Sequence, residues 1–337
     1  MSLRTMLLKN NIKIYQDFSN DKIFKDAIVD TSIILIEKSF NKNNKIFIDN
    51  NFYLNQNLLD NEIWIFLKPK ILKLKKKIIS NSIILNDIKE IDIKRGILTG
   101  YNKAFVINDS QKEELFKSDI NNSKIIFPVL RGKDINKWQI DYKKLYLICS
   151  KNGLNVKKNF PSIYEYLKNF SEALEKRADK GDHWSNLRNC TYYEKFDENK
   201  IVWQEISSEP SFTFDSNKYY VLNNAYILTS DSLNLKYLLA ILNSNLAKWF
   251  FNINSINLGK TGRRFTKQFV SKLPVIFPDE KIQEEISCYI DKLLSKCKVL
   301  NQNQVELEEI MKIEKIINSK IYDIYNLNVE DINIIEN

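Results

Sequence analysis

The chain has 337 residues, 44% hydrophobic and 12% aromatic, enough apolar material for a buried core and against wholesale disorder. Only 7 Gly and 6 Pro argue against glycine-rich phosphate or cofactor loops, and 4 scattered Cys without a C-x-x-C pair argue against a metal or disulfide framework. The net charge of +9 is uneven: residues 1–90 contribute +5, residues 91–278 +10 and residues 279–337 −6, so a polyanion is expected on the middle of the chain.

No apolar run approaches the ~18 residues of a membrane span, and no charged-then-apolar leader opens the chain, so a soluble cytoplasmic protein with reduced thiols is expected. Residues 1–50 read as strands at 12–15, 31–36 and 45–48; the run at 31–36 is apolar and β-branched, suited to a buried strand. Two or three strands do not make a domain, so this stretch is expected to close a sheet that begins upstream. Residues 51–90 read as a basic connection. Its helix-like part, 62–79, carries Lys68, Lys70, Lys73, Lys75, Lys76 and Lys77, and suits either a solvated face or phosphate contacts.

From 91 to 278, β-rich runs at 104–107, 124–130, 145–148, 200–204, 219–228 and 273–277 alternate with turns, and helical patterns interrupt them at 161–177 and 233–251. In the second pattern Leu235, Leu238, Leu239, Leu242 and Leu246 form a core-facing stripe. The mixture predicts an α+β domain with non-local strand pairing, not regular βαβ units. Residues 279–337 read as two amphipathic helices joined near Asn301-Gln302-Asn303, packed as an antiparallel pair or against a partner.

Catalytic motifs are missing from this reading. No two prolines are adjacent, as a base-extruding methyltransferase tetrapeptide needs, and Asn254 stands where a phosphate loop ending Gly259-Lys260-Thr261 requires glycine. His183 is the single histidine, which excludes HNH nuclease and His-rich metal chemistry. No catalytic, cofactor or metal residue is expected in this chain.

Several blocks, in order, resemble the TaqI-like C-terminal specificity region of type II and IIG adenine methyltransferase–endonucleases. They begin at Phe24-Lys25-Asp26-Ala27 and Thr31-Ser32-Ile33-Ile34, which look like the closing strands of that family's methyltransferase domain. The most specific is Arg95-Gly96-Ile97-Leu98-Thr99-Gly100-Tyr101-Asn102-Lys103-Ala104-Phe105-Val106-Ile107. Val129-Leu130-Arg131-Gly132-Lys133-Asp134-Ile135, Lys200-Ile201-Val202-Trp203-Gln204-Glu205-Ile206, Arg264-Phe265-Thr266-Lys267-Gln268-Phe269 and Leu273-Pro274-Val275 follow. The resemblance implies a DNA target-recognition domain over 91–278, preceded by a methyltransferase remnant (1–50) and a basic connecting helix (51–90), and followed by C-terminal helices (279–337). It implies double-stranded DNA as partner, a methyltransferase and, as in many members, a nuclease domain in the same polypeptide, with S-adenosylmethionine as cofactor of the first and Mg2+ of the second. A free-standing specificity subunit for a separate methyltransferase, or a phage-defence methyltransferase without nuclease, are the alternatives.

Reading DNA needs charge for phosphates and fixed donors for base edges: Arg forks suit guanine, Asn or Gln adenine. With only seven arginines, position matters. Lys260, Arg263, Arg264 and Lys267 cluster on a Gly-flexed loop; Thr99, Tyr101, Asn102 and Lys103 sit on a turn between strands; Arg131 and Lys133 flank Gly132. Arg177, Lys180, His183, Trp184 and Arg188 mix cations with aromatics in a polar stretch. These are the expected DNA contacts. Trp184 also suits a core anchor and His183 a structural hydrogen bond, while Trp138, Trp203 and Trp249 read as core.

Overall fold

The computed structural model of the protein describes residues 2–18, 23–24, 29, 31–59, 64, 66–254, 262–297 and 304–337. They form two compact units, Met1–Asn81 and Ser82–Asn337.

In the first unit four strands lie in the order Ser32–Glu37, Asn11–Asp17, Lys45–Ile48, Phe52–Asn55. Asn11–Asp17 is antiparallel to Ser32–Glu37 and parallel to Lys45–Ile48, which turns back antiparallel into Phe52–Asn55. Ile46, Ile48 and Leu54 bury one face of that hairpin over Ile12 and Leu7. The buried Gln56 side chain ties the unit: it accepts from the Ile12 N–H (2.8 Å) and Asn44 Nδ2 (2.7 Å) and donates to the Asn10 carbonyl (2.7 Å), so its polar atoms stay satisfied inside. The 31–36 run is a strand, but the expectation of a buried one is overturned. It lies at the sheet edge with Ile33 55% and Leu35 52% exposed. The lysine-rich helix spans Pro69–Ser80, shorter than expected, with Pro69 in its first turn, where a missing N–H costs nothing. Residues 25–27 and 60–63, which fall in the expected elements, lie outside the described residues.

The second unit is a mixed α+β domain with several open sheets, interspersed helices and a helical tail. An antiparallel sheet runs in the order Phe212–Asp215, Lys200–Gln204, Ala225–Thr229, Asp92–Arg95. A second runs Tyr220–Val221, Ile126–Leu130, Tyr146–Ile148, Val106–Ile107, with its first pair parallel. The expected run at 219–228 is thus two strands in two sheets, and the turn between them joins the sheets. The 104–107 run opens as a helical turn, Asn102–Phe105, before its strand. The helical pattern at 233–251 is two helices, Leu235–Leu242 and Asn245–Asn254, broken at Asn243, whose side chain leaves the helix to bond the Phe212 backbone in both directions (3.0 and 2.8 Å).

One ion pair is fully enclosed. Lys200 Nζ meets Asp215 Oδ2 at 2.7 Å and the Phe196 carbonyl at 2.7 Å, and Asp215 accepts from the Asn217 and Tyr219 N–H groups (2.8 and 2.9 Å). Among the described residues the tail has three helices, Glu280–Lys296, Gln304–Ile324 and Val329–Glu336. The first two are antiparallel, since Glu285 pairs with Lys320 (2.8 Å) and Lys296 with Glu309; the expected joint at 301–303 lies outside the described residues. The tail packs on its own chain: Glu314 holds Lys137 (2.6 Å) and the Trp138 indole (2.7 Å), and the Tyr325 hydroxyl donates to the Pro274 carbonyl (2.9 Å).

Candidate nucleic-acid interface

The turn 222–224 between the two sheets gathers loops from distant parts of the sequence. Leu222 N donates to the Leu130 carbonyl (3.0 Å), Asn223 N to Ile97 (3.0 Å), and the Asn224 carbonyl accepts from Glu205 N (2.9 Å). Asn224 Oδ1 accepts from Gly132 N (3.0 Å), and a side chain at 132 would put its Cβ 2.7 Å from the Asn224 carbonyl oxygen, so only glycine lets this loop close. Glu205 passes the contact on through its carbonyl to Phe265 N (2.7 Å), where Ile206–Ser207 pairs with Arg263–Arg264. Gly262 enters that pair with φ +102°, a conformation L side chains avoid.

Arg95 sits at the centre. Its strand neighbour is Tyr226, over whose ring its guanidinium lies at 5.8 Å; its Nε donates to the Asn223 carbonyl (2.6 Å) and its Nη2 pairs with Glu205. Burial raises the Tyr226 hydroxyl pKa; the charge of Arg95 opposes the rise, that of Glu205 adds to it and that of Arg264 opposes it. On the other side the Tyr192 hydroxyl donates to the Arg95 carbonyl (3.0 Å) beneath Lys94 (5.4 Å from the ring centroid). Burial pushes that hydroxyl up to about 12 against the pull of nearby Arg188 and Arg95.

Arg177 organises the next loop from inside. It is 8% exposed and donates to the carbonyls of Thr99, Trp184 (3.0 Å) and Asn186, with its charge over the Phe105 ring (4.6 Å). Desolvation lowers its pKa to about 10. The guanidinium therefore clasps segments 99–105 and 184–186 together and is not presented at the surface. Thr99 is buried too, donating to Asn102 Oδ1 (2.6 Å) and accepting from Tyr101 N (3.2 Å). His183 Nδ1 accepts from Ser185 N (3.2 Å) and bonds Ser185 Oγ (2.8 Å), and its ring joins Trp184 (5.1 Å) and Tyr164 (6.2 Å) in an aromatic cluster.

Asn102, Lys103, Lys133, Lys180, Arg188, Arg264 and Lys267 are exposed. Arg188 has one 3.3 Å contact to Asp179, and Lys180 donates to the Glu175 carbonyl (2.6 Å). Arg131 is held in a fork by the buried Asp134 (2.9 and 2.7 Å), and Tyr101 packs half-buried near Phe170 (6.3 Å). Arg263 is half-buried, which lowers its pKa, while Lys260 lies outside the described residues. Segments 96–103 and 177–188 meet through Arg177, and 131–133 and 263–265 meet through Asn224 and Glu205. Sequence reasoning passed over Arg95, Asn223, Asn224 and Glu205. Arg95 was within reach, being one of the seven arginines and the first residue of the most specific block.

Residues 127–275 match the TaqI-like C-terminal specificity domain. The chain carries a target-recognition domain homologous to those of type II restriction-modification enzymes. It is 21% identical over 243 residues to the type II methyltransferase M.BstVI of Geobacillus stearothermophilus, covering 67% of this chain and 42% of that protein. The fold is shared with the type IIL restriction-modification enzyme MmeI, solved in complex with DNA: TM-score 0.61 and 14% identity over 97% of this chain and 45% of that one. The type IIG restriction endonuclease BpuSI aligns at TM-score 0.46 and 12% identity, over 96% of this chain and 45% of its own. The chain thus spans less than half the length of these relatives. Within the target-recognition domain, the matched residues include the turn 222–224 and the Gly132, Glu205 and Arg264 positions it gathers.

Proposed function

We propose that the edge centred on Arg95 and the turn 222–224 docks on double-stranded DNA and reads base pairs there. It would do so for a longer type II/IIG restriction-modification protein, whose methyltransferase modifies an adenine in the site so chosen. The observation that carries this reading is that the segments 95–103, 131–133, 177–192, 205–207 and 263–267 are tied to one another by hydrogen bonds and carry exposed cations. Phosphate contacts need only charge, which Lys103, Lys133, Lys180 and Lys267 supply; base contacts need fixed forks, which Arg95, Arg188 and Arg264 supply on a braced frame. The partly exposed Arg95–Glu205 pair keeps the fork oriented before DNA arrives.

S-adenosylmethionine and a metal ion are assigned to the methyltransferase and nuclease parts of the longer protein. The cellular compartment proposed is the cytoplasm, where such a protein meets DNA; among the described residues no helix is long and apolar enough to cross a membrane.

Salt dependence tests the reading. The four exposed lysines Lys103, Lys133, Lys180 and Lys267, each on one phosphate, predict a ~10²-fold loss of duplex affinity between about 50 and about 200 mM salt. Arg188→Glu with Arg264→Glu should abolish binding, while Lys292→Glu with Lys315→Glu on the tail should leave it unchanged. Equal effects of the two pairs would refute the assignment of this edge.

A further inference from the structure

The lysine-rich helix Pro69–Ser80 belongs to the first unit. We propose that it walls a second, separate site for a nucleotide: a phosphate held by lysines beside a planar base. This goes beyond the recognition reading and does not depend on it.

A cleft of about 440 Å³ opens between this helix and the hairpin formed by Lys45–Ile48 and Phe52–Asn55, within the ~300–1,000 Å³ range of small-ligand sites. Lys73 and Lys76, one turn apart on the helix, face Lys45 from the hairpin across it. Among the described residues no Asp or Glu lines the cleft, and none of the three lysines has an ion-pair partner. Three unneutralised cations around one concavity make a positive potential that an anion relieves. The floor is not charged. Tyr53 lies on the same face as Lys45, because the register pairs Lys45 with Asn55 and Phe47 with Tyr53. Its ring is stacked on Phe47 on one side (4.8 Å between centroids) and 61% exposed, with Leu58 and Leu72 completing an apolar wall.

A braced aromatic beside lysines is how proteins hold an unstacked base and its phosphate without reading sequence. Inorganic phosphate alone would leave Tyr53 and the leucines unused, and an apolar ligand would leave the lysines unused. The shared chemistry is a nucleotide phosphate with its base, supplied either by a single DNA strand or by a free nucleotide.

The test uses the full chain and a 5-iodouracil-substituted single-stranded oligonucleotide, photo-crosslinked and mapped by mass spectrometry. The expected adduct is on Tyr53, reduced about tenfold or more by Lys73→Glu with Lys76→Glu; circular dichroism checks that these exposed substitutions leave the fold intact. Displacement by unlabelled strand but not by free dTMP identifies a DNA strand as the ligand, and equal displacement by both identifies a free nucleotide. An adduct map without Tyr53, or an adduct on Tyr53 that survives the charge reversal, overturns the proposal.

Discussion

Replacing Arg177 by alanine withdraws one guanidinium from three main-chain carbonyls, those of Thr99, Trp184 and Asn186. A hydrogen bond from a charged donor contributes ~1.5–3 kcal/mol. The three do not add, because truncation also relieves the desolvation that holds the Arg177 pKa down at about 10. A net loss of ~2–4 kcal/mol follows, at the upper end of ordinary substitutions. For a unit of this size that is a fall in Tm of about 5–15 °C. Thermal unfolding followed by near-ultraviolet circular dichroism measures it. Hydrogen exchange should localise the early opening to segments 99–105 and 181–188, with the Leu187 N–H, bonded to Ser150 at 2.8 Å, among the first to exchange. DNA affinity should fall even though no contact to DNA was removed, since Arg188 and Lys180 ride on the loosened loop. Arg177→Lys should not restore it, because a single Nζ is a point donor and cannot span carbonyls that Arg177 reaches from two separate nitrogens, Nη1 and Nη2. A Tm within about 1 °C of the parent, with exchange unchanged, would refute the clasp and return Arg177 to the surface contacts.

Arg264→Ala and Arg95→Ala should each cost ~1–3 kcal/mol of binding and relax preference at one base position, whereas Lys133→Ala should weaken all sequences alike and lower the salt slope by about one. Competition titrations against single-base variants of the site separate the two patterns. Asp215→Ala, which strands Lys200 in the core, should destabilise by ~3–5 kcal/mol, while Lys200→Met with Asp215→Leu should recover most of it in urea unfolding. Alkaline stability has a definite sign. Unfolded tyrosines ionise near pH 10, but burial raises the pKa of Tyr142, Tyr193, Tyr237 and Tyr325, and it pushes the Cys149 thiol up to about 12. The folded chain therefore holds more protons than the unfolded one above pH ~10, and stability must fall as pH rises through that point. Tyrosinate absorbance rising together with unfolding is the expected record; full ionisation at pH ~10 in a folded protein would contradict it.

How far the sequence reached depended on whether a signal was local. Strand 200–204, with four successive buried residues, and the helix Glu280–Lys296, with its 3–4 spacing, were legible because period and burial coincide there. The 31–36 run misled because β-branched apolar residues also occupy an edge strand; burial depends on a neighbour the local pattern does not contain. Asn243 broke a helix for a reason 31 residues away, its bonds to Phe212. The cationic segments were found by composition, but their meeting was not, since it runs through backbone groups of Leu222, Asn223 and Asn224 that carry no sequence signature. Arg177 illustrates the limit best. A cation in a polar stretch reads as a surface contact until three carbonyls are seen to surround it.

The most direct test of the central claim is selection of this chain on a pool of random duplex DNA, sequenced after binding at two salt concentrations. The account predicts enrichment of one short motif, lost when Arg95 and Arg264 are both replaced by alanine and kept when Lys292 and Lys315 are. Salt-sensitive retention with no enriched motif, or a motif indifferent to Arg95 and Arg264, would contradict it.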